Sequence, residues 1–162
     1  MSENESLPNW VYRNKRPSSD EAYFENMTRC IFQGGLNWTM IANKWPNFLH
    51  AFDNFNIHKV ATYGLIEQER LIRDTGIIRN KKKIMATINN AEEFLRIAEE
   101  FGSFQKWLDS LNKENNYEYV VKRLKSRFKR IGPITAHIFL WSVGEPIKYD
   151  ESIDRLKPKI IG

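Results

Sequence analysis

Apolar residues in this chain recur at helical intervals and nowhere sustain the period-two alternation of a half-buried strand, which confines the fold to packed helices. From Ala22 onward, Phe24, Met27, Ile31 and Phe32 fall on adjoining faces of one helix. Ile84, Ile88, Ala91, Phe94 and Ile97 form the stripe of a longer one. Local signals punctuate these runs. Pro17-Ser18-Ser19-Asp20-Glu21 reads as a capped helix start, with acids at the positive end of the dipole. Gly34-Gly35 reads as a helix end, because glycine takes the left-handed C-terminal conformation readily.

The same reading predicts a helix opening at Asn37-Trp38 and carrying Met40, Ile41 and Trp45, then a new helix whose first turn is Pro46-Asn47-Phe48-Leu49. Short helices are expected over 57–63 and over 66–74, the latter packing Ile66, Leu71 and Ile72 and closed by Gly76. Asn80 opens the long helix. Gly102-Ser103 precedes one with Phe104, Trp107 and Leu108. Residues 112–116 read as a loop, followed by helices over 117–126 and 134–143. Trp45, Trp107 and Trp141 are assigned to the core. The expected organisation is an N-terminal arm over 1–16, a compact helical domain over 17–150 with two lobes possible, and a tail over 151–162.

Composition narrows the function classes. With 41% hydrophobic residues the chain can bury a core, and a net charge of +5 favours a polyanionic partner, although basic proteins also use such charge to stay soluble. Cys30 is the sole cysteine, so no internal disulfide forms, and His50, His58 and His137 lie at no ligand spacing from it. Neither a secretory leader nor an apolar run long enough to span a bilayer is present in the sequence. These features point to a soluble intracellular protein that works without metal or cofactor and without a membrane partner.

Residues 117–143 form the most informative segment. A basic helix leads through Phe128-Lys129-Arg130-Ile131-Gly132-Pro133 into the apolar run Ile134-Thr135-Ala136-His137-Ile138-Phe139-Leu140-Trp141. Pro133 suits a first helical position, and Gly132 permits either an unusual backbone conformation or the close approach of another molecule. Amides at that helix start, beside the positive end of the dipole, suit a phosphate. Lys122, Arg123, Lys125, Arg127, Lys129 and Arg130 crowd the approach. The alternative is an ordinary helical hairpin with a solvated basic face.

Ile131-Gly132-Pro133-Ile134-Thr135-Ala136 resembles the hairpin signature of the helix-hairpin-helix DNA glycosylase superfamily. Tyr23-Phe24-Glu25 followed by Gln33-Gly34-Gly35-Leu36-Asn37-Trp38 resembles a run of the 3-methyladenine DNA glycosylase I family. Gly76-Ile77-Ile78-Arg79-Asn80 with Lys83-Ile84 looks like a further block of the same family, in the same order. The resemblance covers roughly residues 17–150. It implies an all-α glycosylase fold and a monofunctional enzyme of base excision repair that releases an alkylated, 3-methyladenine-like purine from double-stranded DNA, acting as a monomer.

The resemblance also implies site residues. A glycosylase extrudes its target base and holds it against aromatic faces, which places Trp38 in a pocket wall with Gln33 and Cys30 on the helix beside it. Trp10 and Tyr12 are candidates for a second wall. The Gly34-Gly35-Leu36 turn either presses into the duplex or merely ends a helix. Lys81, Lys82, Lys129, Arg130, Gly132, Ile134 and Thr135 are candidate DNA contacts, with Lys83 a further phosphate contact; a lysine run is equally a solvated face. Asp150 is the candidate catalytic carboxylate, able to stabilise positive charge on the sugar or orient water; the alternative is a solvated loop acid. Ile134 stands where lyase-type relatives carry a lysine nucleophile, so hydrolysis without strand cleavage is expected.

Two departures from the family stand out. Cys30 occupies the position of a pocket glutamate, and the family's terminal Cys and His zinc ligands are missing. Two other classes therefore stay open: a non-catalytic helix-hairpin-helix module that binds DNA or a damaged site, and a helical protein-interaction domain.

Overall fold

The computed structural model describes residues 8–148. Among them are eight α-helices and no strand: α1 Asp20–Gln33, α2 Trp38–Ala51, α3 Ile57–Ala61, α4 Leu65–Arg73, α5 Lys81–Phe101, α6 Phe104–Ser110, α7 Glu114–Arg127 and α8 Pro133–Ser142. A short 3-10 turn, Asp53–Phe55, joins α2 to α3 with all three residues at positive φ. No helix among the described residues is long and apolar enough to cross a membrane.

Capping explains most boundaries. The side chains of Ser19, Asn37, Asn56, Asn80 and Ser103 each accept a backbone N–H at the start of a helix, satisfying donors that have no partner within it. Gly35, at φ +77°, turns the chain out of α1.

Helix α5 runs through the middle and packs on α1, α3, α4 and α6, while α1 also meets α2 and α8, and α7 pairs with α8. Aromatic rings fill the space between them. Phe104 meets the rings of Tyr23, Phe94, Trp107, Phe128 and Phe139, and Trp45 stacks on Phe48 and Phe55. Each such side chain contributes about 1.5–3 kcal/mol by leaving water.

Several expectations are corrected. Pro46 does not start a helix; α2 runs unbroken through it, held by the packing of Trp45 and Phe48 on either side. Ile66 is 80% exposed, because five residues separate it from the buried Leu71, about 140° around a helix of 3.6 residues per turn. Gly76 is not the terminator of α4, which ends at Arg73 with Asp74 as its cap; the Asp74 carboxylate then accepts the Gly76 N–H at 2.8 Å. The end of the segment read as a loop, from Glu114, already belongs to α7, whose first residues Asn115, Asn116 and Tyr117 take left-handed backbone conformations. Trp141 is half-buried and meets Trp10 edge-on at 6.4 Å between ring centres, instead of lying in the core.

Candidate base pocket and DNA face

Where α1 ends, the Gly34-Gly35 turn swings the chain into α2 and brings Trp38 alongside Cys30 and Gln33. The start of α8 closes the opposite side with Ile134, Thr135 and Ile138. Between them lies a cavity of about 220 Å³. Three of the residues expected around a base, Cys30, Gln33 and Trp38, thus share one recess with four of those expected on the DNA side, Gly34, Gly35, Ile134 and Thr135. Ile138 was not anticipated, although its spacing of four from Ile134 puts both on one helical face.

Cys30 is buried, with its thiol in a hydrogen bond with Ser142; burial pushes its pKa up to about 12, so it is neutral at physiological pH. Gln33 is 2% exposed and neither its amide nitrogen nor its amide oxygen has a hydrogen-bond partner. Among the described residues no carboxylate lines the cavity.

Trp10 backs this wall without lining it. Its ring meets Trp38 edge-on with centres 5.9 Å apart, and the Arg29 guanidinium lies between its face, at 4.8 Å, and that of Trp45, at 5.1 Å. Trp45 in turn donates its indole N–H to Glu25 at 2.9 Å. Burial holds the Arg29 pKa below its ordinary value. Tyr12 does not reach the cavity wall: its backbone N–H donates to the Ser142 carbonyl at 2.9 Å, and its side chain sits by Lys15 and Gly144. Asn26 completes the anchor, donating to the carbonyls of Trp10 and Ser142, both at 3.3 Å. Sequence reasoning missed Asn26, Arg29 and Ser142, whose partners lie far away in the chain.

The basic candidates divide by exposure. Lys81, Lys82, Lys129 and Arg130 are exposed. Lys83 is not a surface cation: it is 7% exposed and donates to the carbonyls of Gly34 at 2.9 Å and Phe32 at 3.4 Å. Burial, then the nearby Arg130, lower its pKa. The hairpin link is clamped by Asn90, which accepts the Lys129 N–H at 2.7 Å and donates to the Lys129 carbonyl at 3.2 Å. Arg130, not Gly132, takes the left-handed conformation, at φ 63°. Gly132 has φ −91°, open to any residue, and a Cβ there would meet nothing within 4 Å. Nothing within the described residues therefore requires a glycine there, and no side chain caps α8. Leu36 is half-buried against the core, and Gly34 and Gly35 are exposed at the cavity's lip. Asp150 lies outside the described residues.

Among the described residues no three His, Cys, Asp or Glu side chains converge, and the lone thiol faces Ser142.

The solved structures similar to this chain are glycosylases. 3-Methyladenine DNA glycosylase I from Staphylococcus aureus superposes with a TM-score of 0.72 at 25% identity, over 86% of this chain and 88% of that one. A variant of 3-methyladenine DNA glycosylase I in complex with 3-methyladenine gives 0.72 at 26%, over 83% and 81%. Among curated proteins, the Escherichia coli (strain K12) DNA-3-methyladenine glycosylase 1 is 40% identical over 65 residues, 40% of this chain. That stretch spans only 35% of the E. coli protein. The Haemophilus influenzae DNA-3-methyladenine glycosylase is 25% identical over 130 residues, 69% of this chain and 70% of that protein. The family model described as methyladenine glycosylase matches residues 10–125, most of the helical body and the whole pocket side that carries Cys30, Gln33 and Trp38, and the chain belongs to that family.

Proposed function

We propose that this chain is a monofunctional DNA glycosylase that releases an alkylated purine from duplex DNA inside the cell, acting as a monomer. The observation that carries the reading is the recess between the Trp38 wall and the first turn of α8, where a base held against an aromatic face lies beside an uncapped helix start facing the phosphates.

In the proposed reaction the C1′–N bond breaks with its electron pair going to the base, and water forms the new bond to C1′. A cationic base leaves neutral and the water releases a proton to solvent; a neutral base takes that proton. Trp38 stacks on the everted base. Exposed Lys81, Lys82, Lys129 and Arg130, with the amides of Ile134 and Thr135, hold the backbone near Gly132. The Gly34-Gly35-Leu36 turn faces the gap in the duplex. Asp150 is assigned the carboxylate that stabilises the sugar cation or orients water. Ile134 supplies no amine, so the strand stays intact.

A screen of duplexes carrying alkylated and deaminated bases tests this: free base should appear, with cleavage only after alkali. Absence of any released base, with duplex binding intact, supports the second reading, a non-catalytic damage-binding module. That reading draws on the neutral Cys30 at the cavity wall.

A further inference from the structure

We propose that Gln33 selects the base held in this cavity, by requiring one N–H donor beside one acceptor on the edge that the base presents. The proposal rests on the base-pocket reading and names what the bound base must offer, whatever its charge. Three observations carry it. The first is the amide itself. Gln33 lines the cavity and is 2% exposed, and neither its amide nitrogen nor its amide oxygen has a hydrogen-bond partner. A buried amide without partners is costly. Its donor and acceptor lie side by side, so a group with the complementary pair relieves both atoms at once. The edge of an adenine with a free amino group is such a group, and Gln meets it in bidentate fashion.

The second is that the backbone around this amide is pinned. The Lys83 ammonium donates to the carbonyls on either side of Gln33, Phe32 at 3.4 Å and Gly34 at 2.9 Å. The Gln33 carbonyl accepts the Leu36 N–H at 2.9 Å. The amide is thus carried on a turn that is fixed before any ligand arrives, and a site ordered in advance loses little on binding.

The third is that no neighbouring side chain among the described residues does the same work. Cys30, three residues earlier on α1, has its thiol committed to Ser142. Trp38 offers a donor and no acceptor, and Ile134 and Ile138 offer neither. Thr135 has one hydroxyl oxygen where the amide has a separate donor and acceptor. The cavity therefore admits a purine whose modification leaves the donor–acceptor edge intact. A purine closed by an etheno ring, or doubly alkylated on its amino group, has no N–H to give and leaves the Gln33 oxygen unpaired. A site built to bond a substrate N–H rejects an analogue lacking it strongly, for that reason.

The test uses the full chain and two duplexes whose modified base stays attached, because carbon replaces its N3. One carries 3-deaza-3-methyladenine, and the other carries the same base with hydrogen in place of the 6-amino group. The two have the same charge and differ in that donor group. Affinities are read by fluorescence anisotropy for the native protein and for Gln33→Met, which keeps the length of the side chain and removes the amide. The preference for the amino base should be about tenfold larger in the native protein than in Gln33→Met, the scale of one buried group left unpaired. The cost of unpairing each base is the same for both proteins and cancels in this comparison. Gln33→Met should also melt no lower than the native protein, because it deletes a buried amide that has no partner in the fold. Equal preferences in the two proteins overturn the proposal. A variant that melts well below the native protein, or does not fold, overturns it too, since the amide then serves the fold. Release of 3-methyladenine from its own duplex, together with equal preferences, removes this inference and leaves the glycosylase reading standing. The tenfold difference without release of any base does the reverse.

Discussion

The ammonium of Lys83 on α5 lies 2.9 Å from the Gly34 carbonyl, 49 residues earlier, and fastens the lip of the cavity to the central helix. Lys83→Met keeps the buried stem and removes both the donor and the cost of burying a charge, two effects of opposite sign. Global stability should therefore change by less than about 1 kcal/mol in urea melts, while base release falls because the turn carrying Gly34 and Gly35 is no longer held. The salt dependence of duplex binding should be that of the native protein. A shallower salt slope would instead make Lys83 a phosphate contact.

Trp38→Ala should reduce base release by about 10- to 100-fold, the worth of one stacked base. Its affinity for undamaged duplex should stay within a factor of about two, since Lys129 and Arg130 lie on the separate hairpin and counterion release dominates such binding. Equal losses in release and in undamaged-duplex affinity would show that Trp38 supports the fold and not the pocket.

Gly144→Ala should destabilise the protein by about 2–4 kcal/mol, combining backbone strain with overpacking. Gly144 has φ +84°, and a Cβ there would stand 2.2 Å from the Lys15 carbonyl oxygen. Relief requires the N-terminal segment to lift from α8. Trp10 would move with it, which near-ultraviolet circular dichroism reads through the loss of its edge contact with Trp38.

Substituting both Lys129 and Arg130 with Gln should lower the slope of log affinity against log salt by about 1.8 for B-DNA, if each residue meets one phosphate. Gly132→Arg is the complementary variant. Because a Cβ at Gly132 meets no protein atom within 4 Å, the variant should melt as the native protein does. Its weaker binding to damaged and undamaged duplex alike then reports crowding of the DNA and not a damaged fold.

Asp109 accepts two hydrogen bonds from Arg16, at 2.8 and 2.9 Å, and one from Lys113 at 2.9 Å. The Arg16 bonds, ahead of burial, which opposes them, and the Lys113 bond, hold its pKa below the ordinary value. A carboxylate depressed in the fold adds stability at neutral pH that disappears as pH falls through its folded pKa. Asp20 is shifted upward by burial and acts in the opposite sense. Asp109→Asn should therefore flatten the acid decline in stability below about pH 4, where free carboxylates titrate. Thermal melts from pH 7 to pH 3 measure it. The effect should be small because the side chain is 45% exposed and its ion pairs are screened by solvent.

The sequence by itself determined most of the helices, several of their caps and the family. Ser19, Asn37, Asn80 and Ser103 act on backbone donors two or three residues away, so their roles follow from local order. The pocket face of α1 was legible for the same reason, since Cys30 and Gln33 are three apart on one helix. Tertiary packing alone decided what lies across the recess and which polar groups are buried. Lys81, Lys82 and Lys83 are chemically identical and consecutive, yet only the third turns inward, because successive helical residues point about 100° apart and the carbonyls of Phe32 and Gly34 lie on its side of α5. Ile66 and Leu71 likewise differ only in which side of α4 meets the core. Asn26 reaches Ser142 across 116 residues and Asn90 reaches Lys129 across 39. Such pairings depend on where whole helices come to rest, and no local pattern encodes a hydrogen bond whose partner arrives only when the chain has folded.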